Sequence, residues 1–574
     1  MRPITIAALL FAGATVAIGV FVITFAVTPA PANATDQTAA SVDAVFAEWA
    51  KPGSPGCSVG VSRNGIPAYE HGYGMANIEL GVAISPESIF HVASISKQFT
   101  AMSILLLAQR GLLSLDDEAR QYITELPDYD SPLTLRHLLT HTSGLRDAFL
   151  LRELDEARDD TVGRPEALVS LLARQRRLNF TPGAEYQYNN GAYALLAAIV
   201  QRVSSQPLSA FADANIFKPL GMTHTHFHDD PSAIVLNRAS GYHHGADGWH
   251  LALHSDLGRV VGNTGLFTTA HDLLLWEQNF TDVRVGARAL LTAMQTPTAL
   301  TTGETKPYGL GLEVGTHNGI REIGHSGGDP GYAAYAARYP DRGLAVAVLC
   351  NTDEGINPIA MAREVADVYL TNAAPRPRAR RRAPAAATGF ALSPDQLASK
   401  AGLYRDPSNE ALLRVAVRGG KLMANDGAGG DAGFELIPVS ASRFTVPGGT
   451  PALDFIPADT GGTKEVHVLG PQPEPRVLQA VSPVTVSESD LRALAGEYES
   501  QDLGVIYSLV ATESGLTLRI PGRADIRLEP VSEDVFGGDV VGTVSFSRGA
   551  RDAVTGFTIH SSGVRSLLFQ RVKR

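Results

Sequence analysis

The constraint that bears hardest on the architecture of this chain is that its C-terminal third repeats itself. LSPDQLASKAGLYRDP from Leu392 matches VSESDLRALAGEYESQ from Val486, laying Gly402 on Gly496 and Tyr404 on Tyr498 at an offset of 94. FELIPVSASRF then matches IRLEPVSEDVF, with Pro438 on Pro530 and Phe444 on Phe536 at an offset of 92. Both copies are short, alternating stretches punctuated by Gly and Pro, the pattern of a small antiparallel barrel or sandwich. This predicts two small all-β domains, 391–482 and 486–574. Ahead of them PRPRARRRAPAAATG, Pro375 to Gly389, carries prolines and five arginines and reads as a solvated linker over 373–390.

At the other end, an almost unbroken apolar run from Ile4 to Val27 follows Met1-Arg2-Pro3 and leads to Ala32-Asn33-Ala34. Residues 1–34 read as a secretory signal with cleavage after Ala34. The run is also long enough to span a bilayer, so an uncleaved anchor is the alternative. Either way the single basic residue before it places the rest of the chain outside the cytoplasm, periplasmic or secreted. A net charge of −11 argues against nucleic acid as a partner. With two cysteines, Cys57 and Cys350, there is no disulfide scaffold, and 44 % hydrophobic residues must build the cores unaided.

The chemistry is concentrated between these ends. FHVASISKQFT, Phe90 to Thr100, holds Ser94 and Lys97 three residues apart at what reads as a helix start. Residues i and i+3 share a helix face, so the Lys97 amine reaches the Ser94 hydroxyl and, if desolvated, accepts its proton. Backbone N–H groups at such a start also favour a developing oxyanion. Alone the pair is weak, because ordinary composition yields on the order of one Ser-x-x-Lys by chance in a chain this long. The apolar stretch after Lys97 must be a buried helix, ended at Gly111. Before it, CSVGVSRNGIPAYEHGYG reads as a hairpin turning at Arg63-Asn64-Gly65. LTLRHLLTHTSGL reads as a helix from Leu133 breaking at Ser143-Gly144. Tyr188 and Asn190 precede an apolar helix beginning near Gly191, placed to line a cleft. Strand-like segments then start at Tyr308, Arg321 and Gly343. In the second of these His325-Ser326-Gly327-Gly328 lets backbone approach a ligand closely.

Three weak signals in a fixed order make a strong one. Ser94-x-x-Lys97, Tyr188-x-Asn190 and His325-x-Gly327 together resemble the penicillin-recognising serine hydrolases, in the branch of class C β-lactamases, D-alanyl-D-alanine carboxypeptidases, D-aminopeptidases and related esterases. SISKQFTA, RHLLTHTSGL, LGMTHTHF and GHSGGDPGY look like that family's segments, and the resemblance covers roughly Ser41 to Leu370, within a domain of 41–372. It implies an α/β (α+β) β-lactamase-like domain, a five-stranded antiparallel sheet against a helical region, followed here by two lipocalin-like barrels in a layout like that of D-aminopeptidases. It implies that Ser94 is acylated, that Lys97 and Tyr188 share general-base work, and that Asn190 binds the substrate amide. The N–H groups of Ser94 and Gly328 would hold the oxyanion, and no cofactor is needed. His325-Ser326-Gly327 departs from the Lys-Thr-Gly of many β-lactamases and carboxypeptidases. Histidine is a weaker, pH-dependent anchor for a substrate carboxylate, which disfavours a dedicated β-lactamase.

The expected activity is therefore acyl-enzyme hydrolysis of a small peptide, amide or ester, of D-aminopeptidase or D-peptidase type. An esterase, a β-lactamase, and a non-catalytic penicillin-binding or cell-wall sensing module are the alternatives. In D-aminopeptidases a loop from the last barrel brings an acidic residue to the substrate amine, for which Asp539 and Asp552 are weak candidates here. His224, His226 and His228 alternate as strand ligands could, but lack acidic or cysteine partners at ligand spacing, so no metal is expected. Asp116-Asp117 look like a helix-capping pair and His141 like a structural hydrogen bonder. Finally, the family's sheet sets its first strand antiparallel beside its last, which brings Cys57, opening CSVGV, close to Cys350, closing GLAVAVLC. Cross-strand disulfides are strained and a buried thiol packs well, so proximity is expected and a bond is not.

Overall fold

The computed structural model describes residues 34–155, 165–245, 247–252, 260–370, 392–407, 411–425, 433–446, 451–458, 462–469, 475–482, 484–512, 515–538, 541–561 and 563–573. The apolar leader and the arginine-rich linker lie outside them. Among the described residues no helix is long and apolar enough to cross a membrane.

The first body is built on an antiparallel sheet of six strands, one more than expected. Its order across the sheet is Glu313–His317, Ile320–Asp329, Tyr332–Tyr339, Leu344–Cys350, Cys57–Arg63 and Ile66–Tyr73. The strand LAVAVLC shows why one continuous apolar run suits a central strand covered on both sides. Leu344, Val346, Val348 and Cys350 pack beneath the helices Ala34–Phe46 and Pro358–Leu370, against Val42, Phe46, Met361 and Val365. Ala345, Ala347 and Leu349 face the opposite way, into the core of the helical lobe. That face stays shallow because a helix lies close upon it: a Cβ on Gly60 would stand 3.1 Å from Leu274 and 3.2 Å from Ala270. The hairpin between the first two strands turns through Asn64 and Gly65, both at positive φ (51° and 76°), as a tight turn matched to strand twist requires.

First and last strands pair in the expected register, Cys57 directly opposite Cys350. Their Cα atoms are 4.0 Å apart, and the expectation of free thiols is overturned: the two sulfurs are bonded. Two local readings also change. The helix expected from Leu133 to Ser143 spans only Leu135–Leu139, closed by a Thr134 capping box, because His141 turns into the left-handed region at φ 58°. Asp116 and Asp117 cap no helix: Asp116 pairs with Arg136, and Asp117 accepts from the Ser114 N–H and the Tyr122 hydroxyl.

The repeats are two closed eight-stranded antiparallel barrels, from Gly402–Arg405 to Arg476–Val481 and from Gly496–Ser500 to Val564–Arg571. The aligned residues do the same work in each. Ser393 and Ser487 cap the short helix before the barrel. Tyr404 and Tyr498 are buried and donate to the carbonyl four residues back, Lys400 at 2.8 Å and Leu494 at 2.7 Å. Phe444 and Phe536 fill both interiors. The barrels differ in attachment. The first has an apolar core of its own, whereas the second shares one continuous core with the helical lobe.

Candidate active site

The strand Phe90–His91 pairs with Leu266–Thr268 and delivers the chain into a strained turn. Ala93 has φ 44°, unusual for a residue with a Cβ, and Ser94 sits on the 3₁₀ turn Ala93–Ile95 just before the helix Ser96–Gln109. Ser96 fixes that turn: fully buried, its hydroxyl donates to the Ala93 carbonyl at 2.6 Å and accepts from the Leu266 N–H at 3.0 Å. The third motif presses on the same turn from the sheet. A Cβ on Gly327 would lie 2.2 Å from the Val92 carbonyl oxygen, so only glycine lets strand Ile320–Asp329 come this close. Gly328 is exposed, and a Cβ there would meet nothing within 4 Å.

Lys97 lies one turn on, fully buried. Its Nζ donates to Ser94 Oγ at 2.9 Å, Asn190 Oδ1 at 2.8 Å and the Asn263 carbonyl at 2.8 Å, and stands 4.8 Å from the Tyr188 ring centre. All three acceptors are neutral. Burial therefore holds the Lys97 pKa well below that of a free lysine, with Asp147 and Asp329 opposing from a distance. The Tyr188 side chain is 37 % exposed on its outer side, but burial raises its phenol, and the hydrogen bond with Ser94 opposes that rise. Asn190 is the first residue of the helix Asn190–Ser204, capped by Asn189, which explains how one helix start aims an amide at Lys97.

The cleft thus gathers Ser94, Lys97, Tyr188, Asn190 and the strand from His325 to Gly328. His325 needs correcting as a carboxylate anchor. It is buried, its Nε2 meets the Tyr308 hydroxyl at 3.0 Å and its Nδ1 the Ser326 carbonyl at 2.6 Å, and burial lowers its pKa. Both ring nitrogens are occupied within the protein, so it braces the wall. His141 makes a structural hydrogen bond, as expected, and is buried: its Nδ1 accepts from the Asn189 N–H at 3.1 Å, and its ring packs 4.2 Å from that of Tyr188.

Sequence reasoning missed four contributors. Asn263 supplies a carbonyl to Lys97 from a loop with no motif of its own. Asp147 caps the helix Ala148–Glu153 and accepts from the Asn190 N–H at 3.1 Å; an aspartate before AFLLRE is a capping signal that could have been read. Glu313 accepts from the Ser326 hydroxyl at 3.3 Å. Asp329, directly after Gly328, is 30 % exposed, and burial with Asp353 nearby pushes it up to about 6, with the Thr264 hydroxyl opposing. The barrel candidates do not compete with these. Asp539 lies outside the described residues, and Asp552 is paired with Arg548 at 3.3 Å. Nor do His224, His226 and His228 form a ligand set: among the described residues no group of three or more His, Cys, Asp or Glu is placed to hold a metal.

Comparison with known proteins agrees with this geometry. The chain is 28 % identical over 309 residues to a D-aminopeptidase of Brucella ovis, and 28 % over 306 residues to one of Brucella anthropi. The matches take in 54 % and 53 % of this chain and 58 % of each relative, so just over half the length of these relatives is covered. The fold is that of a penicillin-binding protein homologue from Pyrococcus abyssi, with a TM-score of 0.53 and 23 % identity, covering 78 % of this chain and all of that one. SurE gives a TM-score of 0.52 at 22 % identity, covering 78 % of this chain and 98 % of that one. The Beta-lactamase family model matches residues 42–398. Since that match takes in more than half of the sequence and every residue of the cleft, the chain belongs to the Beta-lactamase family and is a serine hydrolase of that kind.

Proposed function

We propose that this hydrolase works through an acyl-enzyme on small peptides, amides or esters whose acyl group is a D-residue with a free amine, an activity of D-aminopeptidase type. The observation that carries the mechanism is Lys97, whose buried amine touches only neutral oxygens, one of them Ser94 Oγ; burial shifts it toward the free base, whose two N–H groups can stay on Asn190 and Asn263 while its lone pair faces the Ser94 hydroxyl. As Ser94 attacks the carbonyl, its proton passes to Lys97, and the Tyr188 phenol relays it to the leaving group. The carbonyl oxygen becomes an oxyanion held by the N–H groups of Ser94 and Gly328. Water then repeats the sequence on the acyl-enzyme. Asn190 holds both Lys97 and the substrate amide. The preference for an amine is supported by Asp329 and Glu313, two carboxylates flanking the glycine strand, and by the D-aminopeptidase relatives.

We place the reaction outside the cytoplasm. The Cys57–Cys350 bond supports this, since such bonds persist in oxidising compartments, as does the apolar leader. A panel of D-aminoacyl anilides, acyl esters and a cephalosporin tests the specificity. The D-aminoacyl compounds should give the highest kcat/KM; a higher value for esters without an amine would refute the amine preference. A burst of acylation without turnover on every substrate would make the protein a sensor instead.

A further inference from the structure

Part of the surface through which the second barrel joins the catalytic body adjoins the lysine. Arg146, fully buried, donates to the Asp502 carboxylate at 2.7 Å, to Gln175 at 2.8 Å, and to the carbonyls of Arg565 at 3.1 Å and Ser566 at 2.9 Å. Gln175 donates in turn to the Asp502 carbonyl at 2.8 Å. Arg565 pairs with Glu185, and its N–H donates to Asn179 at 2.8 Å. Between these clamps, the Gly563 carbonyl at the hairpin before strand Val564–Arg571 accepts from the N–H of Asp147 at 2.8 Å.

From Asp147 the bonding runs inward without a break. Its carboxylate accepts from the Asn190 N–H at 3.1 Å, Asn190 Oδ1 accepts from Lys97 at 2.8 Å, and Lys97 donates to Ser94 at 2.9 Å. Asp147 cannot sit elsewhere, because its other oxygen is committed to the N–H groups of Phe149 and Leu150. The approach is close: a Cβ on Gly563 would stand 2.5 Å from Leu150 Cδ1 and 3.0 Å from the Asp147 Cβ.

We infer that Asp147 is a positioning residue through which the docked hairpin of the second barrel holds Asn190, and thereby Lys97, in line with Ser94. The barrel is then a structural member of the active site rather than an appendage. This rests on the proposed roles of Ser94 and Lys97.

The experiment uses the full chain and a fluorophosphonate, whose reaction with Ser94 reports activation of the nucleophile without knowledge of the substrate. Its kinetics are resolved into binding and inactivation. Asp147→Asn retains an oxygen for the helix cap but sets an N–H against the N–H of Asn190. It should lower the inactivation rate at least tenfold while leaving binding within threefold. Gly563→Ala should lower the same rate several-fold, and the double variant should fall no further than Asp147→Asn alone, because both act on one chain of contacts. An inactivation rate within threefold of wild type in a folded Asp147→Asn, or effects that multiply in the double variant, overturns the inference. If Asp147→Asn does not fold, Gly563→Ala decides: an unchanged rate overturns the inference, a several-fold fall supports it. Wild-type protein that reacts normally keeps the proposed function standing in either case; wild-type protein that does not react at Ser94 overturns that reading and this inference together.

Discussion

Ser94 and Ser96 stand two positions apart, yet the proposed mechanism makes one the nucleophile while the other fastens the turn. Ser96 spends both its donor and its acceptor inside the turn, so a fluorophosphonate should label Ser94 alone, with modification at Ser96 detected by peptide mass spectrometry counting against the assignment. Ser94→Ala should abolish turnover and leave the melting temperature within a few degrees of wild type. Lys97 carries a testable cost. Its folded pKa is depressed below the unfolded value, so between those two pH values the unfolded chain binds more protons and stability rises with pH. Below that window the penalty is constant, about 1.4 kcal/mol for each unit of depression. Lys97→Met should therefore be inactive but more stable than wild type at neutral pH, with a flatter dependence of stability on pH in urea titrations; a variant less stable at pH 7 would contradict this. At this scale the order of the motifs picked out residues that meet in the cleft, but not their surroundings. Ser94, Lys97, Tyr188 and Asn190 converge as the motifs suggested. His325 was misjudged because its partner Tyr308 lies 17 residues away in a stretch read only as strand-like, and a histidine's exposure is not written in its motif.

Elements were legible where local chemistry fixes them. The Asn64-Gly65 turn and the alternating barrel strands follow from neighbours in sequence. Readings failed where a distant contact decides. Tyr308 was read into a strand that begins only at Glu313, and His141 leaves the helical region because its ring is wanted against Tyr188. The paired glycines of the third motif make this difference measurable. Gly327→Ala must push the strand away from Val92 and should destabilise the protein by about 1–3 kcal/mol with a large loss of activity. Gly328→Ala meets open space and should change stability by less than about 0.5 kcal/mol. Equal stability of the two in thermal melts would show that the close approach has been misplaced. The disulfide is a second element-scale test: replacing Cys57 and Cys350 by alanine should cost about 2–4 kcal/mol, read from denaturant midpoints.

For the whole molecule, the repeat announced two barrels but not their unequal roles, since nothing in either copy says which one shares a core with the helical lobe. The ion pair of Arg414 with Glu529, on partly exposed side chains, links the barrels, and its loss by Arg414→Ala should cost no more than about 1 kcal/mol. Asp502→Ala instead leaves Arg146 buried without its countercharge and should cost about 3–5 kcal/mol. Deleting 388–574 strips the shared core as well, so that protein should be recovered aggregated rather than as a free hydrolase; a soluble, active truncation would show the lobe to be self-sufficient. The distance along the chain between the two halves of this arrangement also sets an order in time. Ribosomes make Ser94 469 residues before Gly563, and chains fold from their N-terminal parts as they emerge. For most of its own synthesis the nascent chain therefore carries Ser94 without the hairpin that contacts Asp147, and on the inference above its activation is complete only once the second barrel has closed.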